Sequence, residues 1–521
     1  MGSSPSIRTE FNFCHLNIST AEKPLGVLDI TLSLAPEDYV KDYREHLKAT
    51  LPNVSLAGFR PGKVPRDVYE KRYGDATIRE LAVKRANQTL NKFFSEKNFR
   101  FLLQPLWLHD NIGKASCKSP TEITVSVLGI TEPQITIPDD FQVAIPSYTL
   151  VPPTEDALNA LVEDILRNSG ASHVVDKSSR NATITGEIQQ NIAGEWVFWR
   201  NLVFAASNPL VRPNETQTTK DLANGVTVGF TVPFELSEFS LNQLAFASSY
   251  NLTQLQLEDF LSKESRFVVT KIEEKEIPPI TPELQQKFFK KTFDSDAEFL
   301  DAFRKAVVDF YQEKIATKQK EDEINAILEV LNIQLPEKEI EFVLSATNEH
   351  GKITYAELIG TLRQMRMSIF IDSLKRKYPD EVELPDDELR DYLIESYRSR
   401  IKNNVPLGNF TETANEESHS EGLLEEKEES INTQITENQE HIEFLQNNQE
   451  SDSDGSSIPS QKEDYLLQLI ASISEEQADK TMKNSKQKEE AYKIASSEKI
   501  YRFISTNIFQ REEKPILISE V

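Results

Sequence analysis

The feature that most limits how this 521-residue chain can fold is the stretch GFRPGKVP at residues 58–65. Glycines permit a tight or left-handed backbone and each proline fixes its own φ, so the stretch predicts a loop between helical segments. Because such a loop has little core to bury side chains in, we expect Phe59, Arg60 and Lys63 to point outward. An apolar ring between two cations suits a surface that offers both phosphate and an apolar pocket.

A basic segment surrounds this loop, although the net charge of the whole chain is −26. Between residues 58 and 100, eleven cations oppose five acids, which gives a net charge of +6. A basic island in an acidic chain is consistent with attraction to a polyanion such as ribosomal RNA. A solvated helix face with surplus lysine explains the charge almost equally well, and the loop favours the functional interpretation.

Periodicity on both sides of the loop predicts an α+β domain. Alternation at residues 25–34 indicates a half-buried strand, and Pro36 opens a helix that buries Tyr39, Tyr43 and Leu47. The remaining predicted elements are a short helix from Val64-Pro65 to Tyr73 with Gly74 as its stop, a helix over 76–97, and strands over 123–130 and 134–145.

After a proline-rich linker, the pattern predicts a second, smaller α+β domain. It begins with a helix at 154–168, and strand-like pieces follow at 182–189, 196–204, 226–234 and 267–272. The aromatic residues of this region stand at strand-like spacing, so we expect them in a core; they are Trp196, Phe198, Trp199 and Phe204.

Residues 282–401 show a helical, amphipathic pattern with many phenylalanines, which predicts an all-α region. Most of the apolar side chains between Phe288 and Phe310 are expected in its core. Helices are also expected at 324–331, 340–346, 357–378 and 386–402. The run around Gly351 mimics half of a calcium-binding loop, but Ala346 and His350 occupy ligand positions, which favours a simple interhelical turn.

Residues 411–464 differ from the rest, with sixteen acids against two lysines. Their composition predicts a disordered acidic insert. Helices are expected to resume at 465–473 and 489–509, and Pro515 to Ile518 read as a short apolar strand or docking peptide.

The sequence shows no established catalytic or cofactor chemistry. Its seven histidines lack metal-ligand spacing, and no phosphate-binding loop or nucleophile motif is present, so no metal or cofactor is expected, and any catalytic residues stay unknown. Two cysteines, Cys14 and Cys117, are too few for a disulfide framework. With no secretory signal and no long apolar run, the chain is expected in the cytoplasm and away from membranes.

The octet resembles the ribosome-docking signature of trigger factor, the bacterial chaperone at the nascent-chain exit. The order of elements is also similar, from the first strand and helix through the octet, the VYEKRYG run at 68–74, the long helix and the Gln104-Pro105 turn. The EEKEIPPITPEL run at 273–284 is placed where this family leaves its middle domain. The resemblance covers most of the chain outside the acidic insert.

This resemblance implies a multidomain α+β and all-α protein. Its parts would be a ribosome-binding domain at 10–148, an FKBP-like domain at 149–277, a helical chaperone domain at 278–410 and 465–521, and the insert at 411–464. In the family, the middle domain usually isomerises prolyl bonds in an aromatic pocket. The Pro-Gly-Phe/Trp-Glu stretch that normally accompanies this activity is not found here, so isomerase activity stays open.

The function that the resemblance implies is that of an ATP-independent chaperone for nascent polypeptides at the ribosomal exit tunnel. Contacts to exit-tunnel protein and rRNA would come from the signature residues, which are Gly58, Phe59, Arg60, Pro61, Gly62, Lys63 and Pro65. Unfolded nascent chains would be its clients, and a homodimer is possible away from the ribosome. The alternatives are an active peptidyl-prolyl isomerase and a general RNA-binding protein.

Overall fold

The computed structural model describes residues 8–13, 16–205, 216–404 and 458–517. The chain divides into two compact units, which are considered separately. The first comprises Met1–Ile135, Ala144–Phe370 and Arg511–Val521, and the second comprises Thr136–Val143 and Ile371–Gln510. Cys14 lies outside the described residues.

The first unit begins with a five-stranded antiparallel sheet of order β1-β2-β3-β5-β4. Its strands are β1 (Arg8–Phe13), β2 (Leu16–Glu22), β3 (Val27–Leu34), β4 (Leu106–Asp110) and β5 (Ile123–Ile130). In β3, Leu28, Ile30 and Leu32 are buried while the residues between them are partly exposed, which confirms the predicted strand.

One face of this sheet is covered by α1 (Pro36–Thr50) and α3 (Asp75–Glu96), which share a core with it. Tyr39, Tyr43 and Leu47 of α1 are all buried, as their fourfold spacing predicts. On α3 the buried residues are Ile78, Ala82, Ala86, Leu90 and Phe93.

The predicted helix stop at Gly74 is wrong. The short helix α2 (Arg66–Tyr69) passes through a five-residue π-helical turn (Glu70–Gly74) straight into α3. Gly74 keeps helical angles (φ −56°, ψ −45°), and a Cβ there would lie 2.7 Å from the Cys117 sulfur. The glycine therefore serves close packing inside a continuing helix.

The strand predicted at 134–145 is placed too early. Residues 132–142 are irregular, as Pro133 and Pro138 remove backbone donors, and β6 spans Val143–Leu150. The last strand, β12 (Phe509–Ile516), pairs with β6. The short strand predicted at 515–518 therefore overlaps only the end of the observed strand, which begins six residues earlier.

The middle segment contains α4 (Glu155–Asn168), capped by the Thr154 hydroxyl as expected. A second antiparallel sheet follows, of order β10-β11-β8-β9, with β7 also paired to β11. Its strands are β7 (Ser172–Val174), β8 (Ala182–Ile192), β9 (Glu195–Ala205), β10 (Thr231–Pro233) and β11 (Ser265–Lys275). The helices that pack on it are α5 (Gln217–Leu222), α6 (Gln243–Tyr250) and α7 (Gln254–Leu261).

Only part of the strand predicted at 226–234 forms, as β10. Positive φ angles at Gly225 (+80°) and Gly229 (+91°) turn the chain before the strand can begin.

The predicted core role of the β9 aromatics is correct for two and wrong for two. Trp199 and Phe204 pack against the buried cluster, whereas Phe198 is 52% exposed and Trp196 lies at the border of a cleft. The register shifts where Ile188 pairs with Arg200 and Gln189 with Phe198, which leaves Trp199 as an extra residue. Such a bulge reverses the alternation, so Trp196 and Phe198 no longer share a face with Phe204.

The helical part of the first unit is formed by α8 (Pro282–Phe289), α9 (Asp296–Leu331), α10 (Glu337–Thr347) and α11 (Tyr355–Lys377), the last of which continues past Phe370. Phe299, Phe303 and Val307 are buried with α4, as predicted for most of this run, while Phe310 is exposed. Residues 348–354 form the interhelical turn that was expected around Gly351.

The second unit contains α12 (Pro379–Val382), α13 (Asp386–Asn404), α14 (Ile458–Lys483) and α15 (Ser485–Asn507). Leu389, Leu393 and Tyr397 of α13 pack against small residues of the two later helices. Most of the acidic insert lies outside the described residues. Its last part, 458–464, is not irregular as predicted but opens α14, where Pro459 fits the first helical turn.

Candidate functional site

The octet lies in the connection between α1 and α2, residues 51–65. The connection begins with a 3₁₀ turn over Leu51–Asn53, and then closes on itself where the Gly62 N–H donates to the Val54 carbonyl at 3.0 Å. This bond fixes the two ends of the loop that carries the candidate residues.

The first turn inside the loop is set by Gly58. The Phe59 N–H donates to the Leu56 carbonyl at 3.0 Å, and Gly58, the third residue of that turn, has a φ of +91°. Type II turns require a positive φ at this position, where residues with a Cβ are disfavoured. Gly58 therefore sets the direction in which Phe59 leaves the domain.

The second turn repeats this arrangement. The Lys63 N–H donates to the Arg60 carbonyl at 2.9 Å, Pro61 is the second residue and Gly62 is the third, with a φ of +72°. Proline followed by glycine is the pair that a type II turn favours. Gly62 is constrained a second time, because a Cβ there would lie 2.4 Å from the Pro52 carbonyl oxygen.

Three aliphatic side chains anchor the loop to the N-terminal core. Val64 is buried in that core, and Val54 and Leu56 pack partly buried against it. Pro65 then caps α2, because its carbonyl accepts hydrogen bonds from the N–H groups of Val68 and Tyr69 at 3.1 and 3.2 Å. The loop is thus held at both ends by buried contacts.

The side chains expected to point outward do so. Phe59 is 38% exposed, and Arg60, Pro61 and Lys63 are exposed as well. Within the described part of the chain, the side chains of Arg60 and Lys63 make no hydrogen bond and no ion pair. Their charges are therefore available to a partner.

The basic island is a surface feature. Ten of the eleven cations between residues 58 and 100 are exposed, and Arg85 is half-buried. Some are engaged within the domain: Arg66 pairs with Glu70 at 2.7 Å, which raises the pKa of that guanidinium, and Arg79 donates to the Ala115 carbonyl. The loop cations are not engaged in this way.

Below the loop, the start of α3 is tied to the segment before β5. One Asp75 carboxylate oxygen accepts from the Cys117 N–H and the Ser116 hydroxyl, both at 2.9 Å, and these bonds lower the pKa of Asp75. Burial raises the pKa of the Cys117 thiol, which favours its protonated form. Sequence reasoning missed this contact, which joins residues about forty positions apart.

The arrangement offers binding rather than bond-making chemistry. In the described ranges, no group of three or more histidine, cysteine or acidic side chains could hold a metal ion. The helices seen in those ranges are also too short or too polar to span a bilayer. What the loop presents is an exposed ring flanked by two uncompensated cations on a fixed backbone.

Comparison with known proteins finds a family match that includes this loop. The family model of the N-terminal region of bacterial trigger factor protein matches residues 17–165, which include the whole octet. Residues 17–165 of this chain thus match the trigger factor family. The trigger factor of Psychromonas ingrahamii is 22% identical over 331 residues, which are 63% of this chain and 71% of that protein. That of Marinobacter nauticus is also 22% identical, over 67% of this chain and 76% of its own length.

A Rickettsia canadensis trigger factor reaches 26% identity over 63% of this chain and 66% of its own length. A solved structure of the trigger factor chaperone, described for promiscuous substrate recognition in folding and assembly, aligns over 74% of this chain and 89% of its own. The identity there is 16% and the TM-score is 0.26, too low to say how the domains correspond.

The middle segment has a filled aromatic centre. Trp199 stacks on Phe246 with ring centroids 5.6 Å apart and lies 4.4 Å from Phe260. Phe234 contacts Phe246 and Phe260 at 6.0 and 6.2 Å. Phe246 lies on α6, Phe260 lies on α7, and Phe234 lies just after β10. Together with Trp199, these rings fill the centre of the segment with the chain's own side chains.

A cleft of about 970 Å³ opens at one end of the same sheet. Trp196, Phe234 and Phe260 are among the residues that line it. The Arg266 guanidinium covers the Trp196 ring at 4.3 Å and donates two hydrogen bonds to the Gln189 side chain. One face of this tryptophan is therefore already occupied.

Exposed apolar side chains on the helical part are scattered among polar ones. Phe310 and Val330 of α9 and Phe342 of α10 are each more than half exposed. Singly exposed apolar residues of this kind are common on protein surfaces, and each offers only a small apolar area to a partner.

Proposed function

We propose that this chain is a ribosome-associated, ATP-independent chaperone that holds nascent polypeptides at the exit tunnel. The observation that carries the proposal is the loop at 58–65, where Phe59, Arg60 and Lys63 are exposed on a backbone fixed by two turns. The match of residues 17–165 to the trigger factor family supports the chaperone role, and the sequence contains no nucleotide-binding motif that would link it to ATP.

Docking would combine two kinds of contact. Arg60 and Lys63 would bind phosphate oxygens of rRNA, and Phe59 would enter an apolar pocket of an exit-tunnel protein between them. Because the loop backbone is already ordered, little conformational entropy would be lost on binding.

Client holding would use the scattered apolar residues of the helical part, such as Phe310, Val330 and Phe342. Each contact would bury a small apolar area, so a client would bind weakly and leave without an energy source. We also propose that the domains divide as the sequence predicts. The chain would act in the cytoplasm, and molecules that are not bound to ribosomes would form homodimers.

Co-sedimentation with ribosomes tests the docking proposal. A variant with alanine at Phe59, Arg60 and Lys63 should lose most of its binding. The matched control replaces Phe310, Lys305 and Lys314 on α9 by alanine, which also removes one exposed ring and two exposed cations. Full binding by the loop variant, or equal loss by the control, would refute docking through the octet.

Salt dependence separates ribosome docking from general RNA binding. Arg60→Ala should lower the slope of log affinity against log salt by about one, because one phosphate contact is lost. Naked rRNA should compete less well than whole ribosomes, since it lacks the pocket for Phe59. Equal competition by naked RNA would favour a general RNA-binding protein instead.

For the middle segment, we propose an FKBP-like domain that lacks isomerase activity. The antiparallel sheet with packed helices supports the first part, and the rings of Phe246 and Phe260 against Trp199 support the second. A proline-limited refolding assay with the full chain tests it. Acceleration that depends on this segment would make the chain an active isomerase.

A further inference from the structure

The strand at one end of the middle sheet has an unpaired edge. In the order β10-β11-β8-β9, β9 pairs with β8 on one side and with no strand of the described residues on the other. It is eleven residues long and contains no proline and no lysine, two residues that commonly protect such an edge. Three of its apolar side chains are exposed, Val203 by 63%, Phe198 by 52% and Val197 by 44%. A long apolar edge of this kind is a template for pairing with another strand.

Hydrogen bonds show which main-chain groups of β9 face the free edge. The Asn191 N–H of β8 donates to the Glu264 carbonyl next to β11 at 2.9 Å, so the odd-numbered residues of β8 turn their main chain away from β9. The β9 residues opposite them therefore face the free edge; they are Trp196, Phe198, Asn201, Val203 and Ala205. In agreement, the Asn201 carbonyl accepts from the Tyr250 hydroxyl at 2.8 Å. This carbonyl keeps a second lone pair for a further donor.

The bulge at Trp199 limits how a second copy of β9 can align on this edge. Edge-facing residues have even numbers before Trp199 and odd numbers after it. An antiparallel copy stays in phase with all of them from Trp196 to Val203 only if the two bulges face each other. Trp196 then lies opposite the partner's Val203, and Phe198 opposite the partner's Asn201. The two-fold axis repeats both pairs, and each pair exchanges two main-chain hydrogen bonds.

A bulge often protects an edge because it twists the strand. In β9 it lies at the middle of the strand, so the two halves of the edge are complementary to each other. The edge therefore matches a second copy of itself in one register.

The exposed side chains of β9 suit the same alignment. Trp196, Phe198 and Val203 lie opposite β8 residues that are partly exposed. The β8 residues between these, such as Ile184 and Ile188, are buried in the cluster with α5 to α7. Directly opposite residues share a face, so the three apolar side chains lie on the face of the sheet that these helices leave uncovered. Pairing would join them with the same three of the second copy into one apolar band.

The charges of β9 do not oppose this pairing. Its charged residues are Glu195 and Arg200. In the alignment, Glu195 lies opposite the partner's Phe204 and Arg200 lies opposite the partner's Trp199. No two charges face each other directly, which is the arrangement that would destabilise a strand pair.

We infer that the free edge of β9 is a self-association surface, on which a second copy of this chain adds its own β9. This inference rests on the homodimer of the proposed function and names the strand that forms it. An unfolded client has no fixed sequence that matches the edge, whereas a second copy matches it at both ends.

Sedimentation velocity of the full chain over a concentration series measures the dimer. Val203→Lys places an ammonium opposite the partner's Trp196, so the dimer dissociation constant should rise at least about tenfold. Val174→Lys is the matched control, because Val174 is a similarly exposed valine (67%) on the short strand β7 of the same sheet. It should leave the dissociation constant unchanged. Because both valines are exposed, both melting temperatures should stay within about 2 °C of that of the unmodified chain.

A pair of cysteines tests the alignment. Phe198→Cys combined with Asn201→Cys places each new thiol opposite one of the partner's, at the Cα spacing of about 5.5 Å that a disulfide can bridge. Oxidation should cross-link the double variant into a dimer on a denaturing gel. Neither single variant should cross-link, since each of these residues lies opposite the other and not opposite itself. Cys14 and Cys117 are present in all three variants and serve as an internal control.

A dimer that Val203→Lys weakens no more than Val174→Lys does would overturn the inference and leave the proposed homodimer standing. If that variant instead loses binding to an unfolded probe, reduced and carboxymethylated α-lactalbumin, the edge is a client site. Cross-linking of a single variant to the same extent as the double variant would refute the alignment. A chain that is monomeric at every concentration would overturn both the inference and the proposed homodimer.

Discussion

The loop at 58–65 and the aromatic cluster of the middle segment use the same residue type in opposite ways. Phe59 lies on a loop whose backbone is fixed by glycine, proline and hydrogen bonds, while its side chain is 38% exposed. Phe260 has its ring fixed by Trp199, Phe246 and Phe234, with hardly any exposed surface.

This difference shows which part of a residue, backbone or side chain, must be held in place for binding and which for core packing. A binding residue needs a rigid backbone and an unoccupied side chain, whereas a core residue needs an occupied side chain. Substitution of the ring should therefore reduce binding at Phe59 and stability at Phe260, and the two effects can be separated by experiment.

The largest effect on stability is expected for Phe260→Ala. Removal of a buried ring leaves a cavity and should lower the free energy of unfolding by about 3–5 kcal/mol. Urea unfolding followed by tryptophan fluorescence reports on it, because Trp199 lies 4.4 Å from this ring. Ribosome co-sedimentation should be unchanged at low temperature, and a loss of less than 1 kcal/mol would mean that the cluster does not stabilise the middle segment.

Gly62→Ala tests the fixed backbone of the loop. A Cβ would meet the Pro52 carbonyl oxygen at 2.4 Å on a residue with φ +72°, so unfolding free energy should fall by about 1–3 kcal/mol. Ribosome affinity should fall too, although no contact side chain changes. Gly113→Ala, where nothing lies within 4 Å and φ is not positive, should alter neither quantity. Normal ribosome affinity in the Gly62 variant would show that loop geometry is unimportant for docking.

Phe59→Ala should have the reverse profile of Phe260→Ala. Because its ring is partly exposed and makes no aromatic contact among the described residues, the unfolding free energy should change by less than about 0.5 kcal/mol. Ribosome binding should weaken about tenfold, as measured by co-sedimentation over a concentration series. A stability loss close to that of Phe260→Ala would mean that this ring is part of the core.

The smallest effect concerns pH. Hydrogen bonds from Cys117 and Ser116 lower the pKa of Asp75, so its stabilising contribution is present above the unfolded pKa of about 3.9 and is lost as pH falls through the folded value. The urea midpoint of Asp75→Asn should lie slightly below that of the unmodified chain at pH 7. The difference should shrink steadily as the pH falls below about 3.9, and a difference that stays constant would rule out the ionised carboxylate as its source.

Local patterns predicted most of the fold near the loop, and distant contacts decided the errors. The spacing of Tyr39, Tyr43 and Leu47 depends only on α1 and was read correctly. The helix stop predicted at Gly74 was wrong because glycine is needed there for another reason. Cys117, from a distant part of the chain, packs too closely against this position to leave room for a side chain. Two of the β9 aromatics were wrongly predicted to be buried because β9 contains a bulge. The bulge depends on how β9 pairs with β8, and the spacing of residues within β9 alone does not reveal that pairing.

For the candidate site, the sequence predicted exposure but not rigidity. Glycine and proline indicated a loop, and a loop displays its side chains, so Phe59, Arg60 and Lys63 were placed on the surface. The sequence did not indicate that Val54 and Leu56 anchor the loop to the core. Two aliphatic residues in an otherwise polar connection are too few to show the periodicity of a helix or a strand.

The π-helical turn at Glu70–Gly74 influences the direction in which the loop at 58–65 faces. Buried positions along this helix are five apart across the turn, from Tyr69 to Gly74, and four apart beyond it, from Gly74 to Ile78 and Ala82. An α-helix advances about 100° per residue, so the one additional residue keeps Tyr69 on the core side. Shortening the turn by one residue would swing α2, together with the ring and the cations that precede it, through a little over a quarter of a circle.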